Sequence, residues 1–95
     1  MHAYETMFLL NPSLSEEEYE AMVNRFAELI QSNGGEVTKT DRMGRRRLAY
    51  EIEGSTEAWY TVHYFNAPSN LVAELERVYR ITDAVIRYLI VRKDD

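Results

Sequence analysis

The hydrophobic and polar positions of the chain follow two different periods, and one of them predicts four strands. Apolar and polar residues alternate over positions 3–10, which is the pattern of a half-buried strand. Pro12 ends this segment because proline cannot donate to a strand ladder. The same reasoning predicts strands over 36–52, 58–66 and 85–91.

The second period predicts two amphipathic helices. Apolar residues recur at steps of three and four over positions 19–30 and again over 71–79. Ser15 precedes the first stripe and is followed three residues later by Glu18, which is the spacing of a capping box. The pair at positions 69–70 can cap the second helix.

The order strand, helix, strand, strand, helix, strand predicts one domain over 1–95 with an α+β fold. Two right-handed crossovers around a central hairpin give a four-stranded antiparallel sheet with both helices on one face, the ferredoxin-like βαββαβ arrangement. The first and third strands then lie in the middle of the sheet. We expect a bulge or bend at Gly44 and a turn over 53–57 between the hairpin strands.

Composition excludes several functional classes. With 45% hydrophobic and 28% charged residues the chain is typical of a globular domain. It has no cysteine, so disulfides, thiolate catalysis and thiolate metal sites are excluded. No apolar stretch is long enough for a membrane span, and the first residues lack the charged-then-apolar order of a signal peptide, so a cytoplasmic location is expected. His2 and His63 lie far apart in sequence, and neither a metal nor a cofactor is expected.

Charge is distributed unevenly along the chain. The net charge is −5, yet positions 39–47 carry five basic residues and one acidic residue. Non-specific nucleic-acid affinity comes from neutralised phosphates, so an acidic chain is a poor general binder of polyanions. We therefore expect any RNA contact to be local, and to be shared with a partner.

The predicted sheet has one face without helices, and this open face is apolar. If the helices cover Phe8, Leu10, Phe65 and Ile90, the opposite face lacks the polar residues that a solvated sheet normally shows. An apolar patch on a small protein usually marks a contact site, although scattered apolar exposure is also common. The candidate protein-interface residues are Met7, Leu9, Tyr60, Val62, Tyr64 and Leu89.

Arginines are the candidate RNA contacts, because a guanidinium pairs two phosphate oxygens and keeps its charge. Arg45, Arg46 and Arg47 alternate in direction along a strand, although such a run can also be a solvated face. Arg87 lies mid-strand on the open face, where we expect it to pair with a carboxylate, such as Glu5 on the neighbouring strand, or with a phosphate. The weaker candidates are Arg80, Arg92 and Lys93.

Four segments at matched spacing carry a resemblance to one family. They are positions 4–5 (YE), 10–12 (LNP), 44–50 (GRRRLAY) and 85–91 (VIRYLIV). Together the segments are similar to bacterial ribosomal protein six of the small subunit, over essentially the whole chain. Glu51 stands where that family usually has proline, and Met43 where many members have tryptophan.

The resemblance implies the ferredoxin-like fold and a structural function without enzymatic activity. Family members bind the central domain of 16S ribosomal RNA as a heterodimer with ribosomal protein eighteen of the small subunit. The resemblance implies neither a membrane partner nor a small-molecule substrate.

Two other functions compete with this reading. The same strand order belongs to the RNA-recognition motif, a single-stranded RNA binder, and Tyr60 and Tyr64 lie on the strand that carries its aromatic residues. The glycine- and aromatic-rich signature of that module is absent from 58–66. Acylphosphatases also share the topology, but positions 11–14 hold no glycine-rich phosphate loop.

Overall fold

A computed structural model describes residues 1–93 and contains the six predicted elements in the predicted order. All strand pairs are antiparallel and the strand order is β2-β3-β1-β4, which confirms the ferredoxin-like fold and its two central strands. The elements are β1 (His2–Leu10), α1 (Glu16–Ser32), β2 (Glu36–Ile52), β3 (Ser55–Ala67), α2 (Asn70–Ile81) and β4 (Val85–Arg92).

The start of α1 is the capping box that the sequence predicts. The backbone N–H of Glu18 donates to the Ser15 hydroxyl at 3.1 Å, and the Glu18 carboxylate accepts from the Ser15 N–H at 2.8 Å. Each bond satisfies a backbone donor that the helix cannot satisfy itself. At the start of α2, Ser69 occupies the cap position without a side-chain hydrogen bond to the helix.

The β2–β3 hairpin is longer and its turn tighter than predicted. The expected loop over 53–57 is wrong in length, because β3 already begins at Ser55 and pairs there with Ile52. Glu53 (φ 48°) and Gly54 (φ 83°) form the turn, and positive φ at both central residues is typical of a tight hairpin turn. The predicted bulge at Gly44 is confirmed by its φ of 77° and by a register shift between Arg42 and Gly44.

The main core lies between the sheet and the two helices. Phe26 of α1 contacts Phe8 of β1 and Tyr79 of α2, with ring centroids 5.0 and 4.9 Å apart, and all three rings are buried. Leu10 and Phe65 belong to the same core, as predicted, and Ile90 packs against it. This packing leaves the other face of the sheet without a covering helix.

Period-two alternation predicts the wrong faces for two residues of β4, because the pairing of β1 with β4 is also irregular. Alternation places Ile86 on the helix side and Val85 on the open face. The register between β1 and β4 shifts between Leu9 and Leu10, so that Val85 packs against the helix-side core and Ile86 packs on the open face. A single extra residue inverts the direction of every side chain on one side of it.

Neither helix within residues 1–93 combines the length and the apolar character needed to cross a membrane.

Candidate functional site

The open face carries the six predicted interface residues, but their accessibility differs widely. Leu89 is 53% exposed on the edge strand β4, whereas Leu9 is 5% and Val62 is 7% exposed on the central strands. Met7, Tyr60 and Tyr64 are half-buried. The side chain of Leu89 on β4 and the rings of Tyr60 and Tyr64 therefore offer contact area to a partner. Leu9 and Val62 are covered by neighbouring side chains.

The far end of the β2–β3 hairpin covers part of the open face. Leu48 of β2 is buried against Leu9 and Ala58, and Ile52 packs on the same small cluster. Between this hairpin end and the sheet lies a cavity of about 410 Å³. Its lining is mainly apolar and includes Met7, Leu9, Leu48, Ala49, Tyr50, Ile52, Tyr60, Arg87, Tyr88 and Leu89.

A hydrogen bond across the open face joins the two edge strands. The Arg87 guanidinium of β4 donates to the Tyr50 hydroxyl of β2 at 2.8 Å. The predicted pairing of Arg87 with Glu5 is wrong, because Arg87 stands opposite Leu9 and Glu5 stands opposite Val91. Along β1, Glu5 lies four residues from Leu9, which is about 13 Å and too far for an ion pair with Arg87.

The opposite end of the open face is charged. Glu5 of β1 lies 3.6 Å from the Lys93 ammonium, and Lys39 of β2 lies 3.7 Å from Asp41 and 5.5 Å from the Tyr64 ring centroid. Partial burial raises the pKa of the Tyr64 hydroxyl, as do the carboxylates of Glu5 and Asp41. Tyr64 therefore stays neutral at physiological pH. The open face thus grades from an apolar end to a charged end.

The three consecutive arginines point to two sides of the hairpin. Arg45 pairs with Trp59 and Arg47 with Glu57 across the ladder, so both lie on the helix side. Arg46 pairs with Ala58 on the open side, and its guanidinium donates to the Met43 carbonyl at 2.9 Å. One flat partner surface on the helix side can therefore reach Arg45 and Arg47.

Arg45 covers an aromatic ring. Its guanidinium carbon lies 4.7 Å from the centroid of Trp59, and Tyr19 of α1 stacks on the same indole with centroids 4.4 Å apart at 18°. The indole N–H donates to the Leu14 carbonyl at 3.1 Å. Trp59 is consequently only 8% exposed.

The remaining basic candidates divide between the two ends of the sheet. Arg80 donates to the Glu76 carboxylate at 2.9 Å and to the Tyr88 hydroxyl at 3.2 Å, on the helix side of β4. Arg80 and Arg87 thus lie toward the end of the sheet that also holds Arg45, Arg46 and Arg47. Arg92 stands opposite Tyr4 and Lys93 follows it, so both lie at the other end.

A metal centre has no structural support in the part of the chain described. No group of three or more carboxylates or histidines gathers within residues 1–93. His63 is buried, and its ring contacts the Thr40 hydroxyl at 2.8 Å and the Val23 carbonyl at 3.0 Å. Burial lowers the pKa of His63, and both of its ring nitrogens are hydrogen-bonded within the protein.

Sequence reasoning missed the residues of the hairpin end that line the cavity, Leu48, Tyr50 and Ile52. Their alternation showed that they share a face. No pattern in the neighbouring sequence indicated that this face packs over β1 and β4. The Trp59 stack was missed for the same reason, since Tyr19 and Arg45 reach it from different elements.

Comparisons with known proteins agree with this architecture. The crystal structure of 30S ribosomal protein S6 from Thermotoga maritima is 40% identical, with a TM-score of 0.94 over 97% of this chain and 87% of that one. A protein of known structure from Arabidopsis thaliana, 10% identical with a TM-score of 0.54 over 100% and 95% of the two chains, shares the fold alone.

The sequence comparisons are more specific. The small ribosomal subunit protein bS6 of Thermoanaerobacter pseudethanolicus is 52% identical over 100% of both chains. Its counterpart from Caldanaerobacter subterraneus subsp. tengcongensis is 50% identical over the same extent. A sequence model described as Ribosomal protein S6 matches residues 3–92. The chain therefore belongs to the ribosomal protein S6 family, a structural and non-enzymatic component of the small ribosomal subunit.

Proposed function

We propose that the chain binds the central domain of 16S ribosomal RNA as a heterodimer with ribosomal protein eighteen of the small subunit, in the cytoplasm. The observation that carries the proposal is the separation of two surfaces in one acidic protein. One surface is the apolar face of the sheet that no helix covers. The other is the β2 edge of the hairpin, where positions 39–47 carry five basic residues and one acidic residue.

The open face is suited to a protein partner. Leu89 and Val91 are 53% and 37% exposed on one edge, and the cavity of about 410 Å³ beside them has room for an apolar side chain. Interfaces place such anchors in desolvated pockets surrounded by polar groups. Here Arg87 and the Tyr50 hydroxyl form that polar border.

Charge supports a basic partner. The chain has a net charge of −5, from 16 carboxylate side chains against 11 lysines and arginines. Complementary charge steers association and selects partners. A basic partner would also neutralise the carboxylates that otherwise repel RNA, which leaves Arg45 and Arg47 to make a small number of contacts.

The test compares RNA binding by the chain alone and with ribosomal protein eighteen. A fragment of the central domain should bind weakly to the chain alone and much more tightly when the partner is present. Tight binding by the chain alone, insensitive to salt, would contradict the proposed division of labour.

Matched variants locate the partner surface in the same assay. Leu89→Glu places a carboxylate on the open face, and Ile81→Glu places one at the 64% exposed Ile81 on the helix side. Leu89→Glu should weaken partner binding by about 30-fold, since a carboxylate in an apolar contact costs about 2 kcal/mol. Ile81→Glu should bind as the unmodified chain does. Equal effects of the two substitutions would show that the partner does not use the open face.

The geometry is less favourable to a stand-alone binder of single-stranded RNA. Such a module needs central-strand aromatic rings that are open to bases. Tyr60 instead packs with the cluster of Leu9, Leu48 and Ala58, beneath the end of the hairpin. Only part of its ring is therefore open to a base.

A further inference from the structure

Three planar groups from three different elements form a stack at the base of the arginine segment. Tyr19 and Arg45 each lie within 4.7 Å of the Trp59 ring centroids, and two planar groups cannot occupy the same face of one indole at that distance. They therefore cover opposite faces, in agreement with the 8% exposure of Trp59. Arg45 is the outer layer of the stack.

The outer layer is open to solvent and its charge is not compensated. Arg45 is exposed, and no ion pair joins it to a carboxylate within residues 1–93. Within residues 1–93 its guanidinium makes one hydrogen bond, a long contact of 3.5 Å to the Leu14 carbonyl. The indole thus holds the guanidinium in place, while most of its N–H groups remain without a partner in residues 1–93.

A second cation stands beside this face. Arg47 lies two residues further along β2 on the same side, about 7 Å away along the strand. The Arg47 side chain makes no hydrogen bond and no ion pair within residues 1–93. The surroundings are otherwise acidic, with Glu57 opposite Arg47 and three glutamates in the first turn of α1.

This combination favours one nucleotide over a run of phosphates. Nearby carboxylates repel an extended phosphate backbone, whereas stacking on a guanidinium plane requires only a flat, neutral base. A base inside a duplex is already stacked and cannot offer its face, so the ligand must be unpaired. Arg47, two residues from Arg45 on the same side of β2, could then pair with a single phosphate of that nucleotide.

We propose that an unpaired base of ribosomal RNA stacks on the outer face of Arg45, as the fourth layer of the Tyr19–Trp59–Arg45 stack. The proposal rests on the RNA-binding function proposed above and assigns a particular subsite to it. Arg46, on the other side of the hairpin, lies outside this subsite.

The experiment uses the emission of Trp59, which is the only tryptophan of the chain. The full chain with ribosomal protein eighteen is titrated with a central-domain fragment and with a fully paired duplex of equal length. The fragment, which carries unpaired nucleotides, should change the emission and the duplex should not. Absence of an emission change when the fragment binds would overturn the subsite.

Two matched substitutions test the role of the guanidinium plane. Arg45→Lys keeps the charge and removes the plane, and should weaken binding of the fragment about tenfold, the effect of losing one stacked base. Arg77→Lys, on α2 where the guanidinium is paired with Glu74, should leave the affinity unchanged. If both variants bind the fragment equally well, the subsite is wrong and the RNA-binding function stands. If the unmodified chain with its partner does not bind the fragment at all, the proposed function itself fails.

Discussion

The pH dependence of folding tests whether His63 is a neutral, fully bonded imidazole beneath α1. The Val23 carbonyl can only accept, so Nε2 of His63 carries the proton and Nδ1 accepts from the Thr40 hydroxyl. Burial lowers the pKa of His63 from its ordinary value of 6.5, the bond to Val23 opposes this, and the positive charge of Arg42 adds to the lowering. Arg42 is itself paired with Glu20 at 2.9 Å, which moderates its effect.

The sign of the effect follows from the proton balance. In the unfolded chain His63 binds a proton near pH 6.5, and in the folded chain only at lower pH. Between these two values the unfolded state holds more protons, so the free energy of unfolding decreases as the pH falls. The slope in this window reaches at most about 1.4 kcal/mol per pH unit, the value for one proton.

Urea unfolding followed by Trp59 fluorescence, from about pH 7.5 to about pH 5, measures this slope above the range in which most carboxylates titrate. His63→Phe should lower stability by about 1–3 kcal/mol near pH 7.5, because the Thr40 hydroxyl and the Val23 carbonyl lose their partner. It should also remove the slope, so that its difference from the unmodified chain narrows as the pH falls. His2→Gln removes the other histidine and should keep it. A slope that persists in His63→Phe would refute the assignment.

Two further substitutions test the local packing and capping. Ser15→Ala removes the side-chain half of the capping box and should destabilise the protein by about 1 kcal/mol. Ser69→Ala, at a cap without a side-chain hydrogen bond, should change the free energy of unfolding by at most a few tenths of a kcal/mol. Equal losses in urea unfolding would contradict the capping argument. Phe26→Ala empties the site between Phe8 and Tyr79 and should cost about 3–5 kcal/mol. A loss below about 1 kcal/mol would show that the core closes over the gap.

The local pattern of the sequence was sufficient for the elements and for most side-chain directions. Period-two alternation placed Phe8 and Phe65 beneath the helices and Tyr60 on the open face, because successive residues of a strand point to opposite sides. Ser15 and Glu18 located the start of α1 through contacts three residues apart. These features depend on near neighbours, so the sequence alone determined them.

The tertiary structure decided which of these side chains meet. Arg87 and Tyr50 are 37 residues apart and lie on opposite edges of the sheet, and they touch because the end of the hairpin turns over the open face. The register shift between β1 and β4 places Val85 and Ile86 on the faces opposite to those that period-two alternation predicts. Arg45 became the outer layer of an aromatic stack only because α1 delivers Tyr19 to the other face of Trp59. Sheet twist, bulges and long-range packing determine these contacts, and the periodicity of the sequence does not predict them.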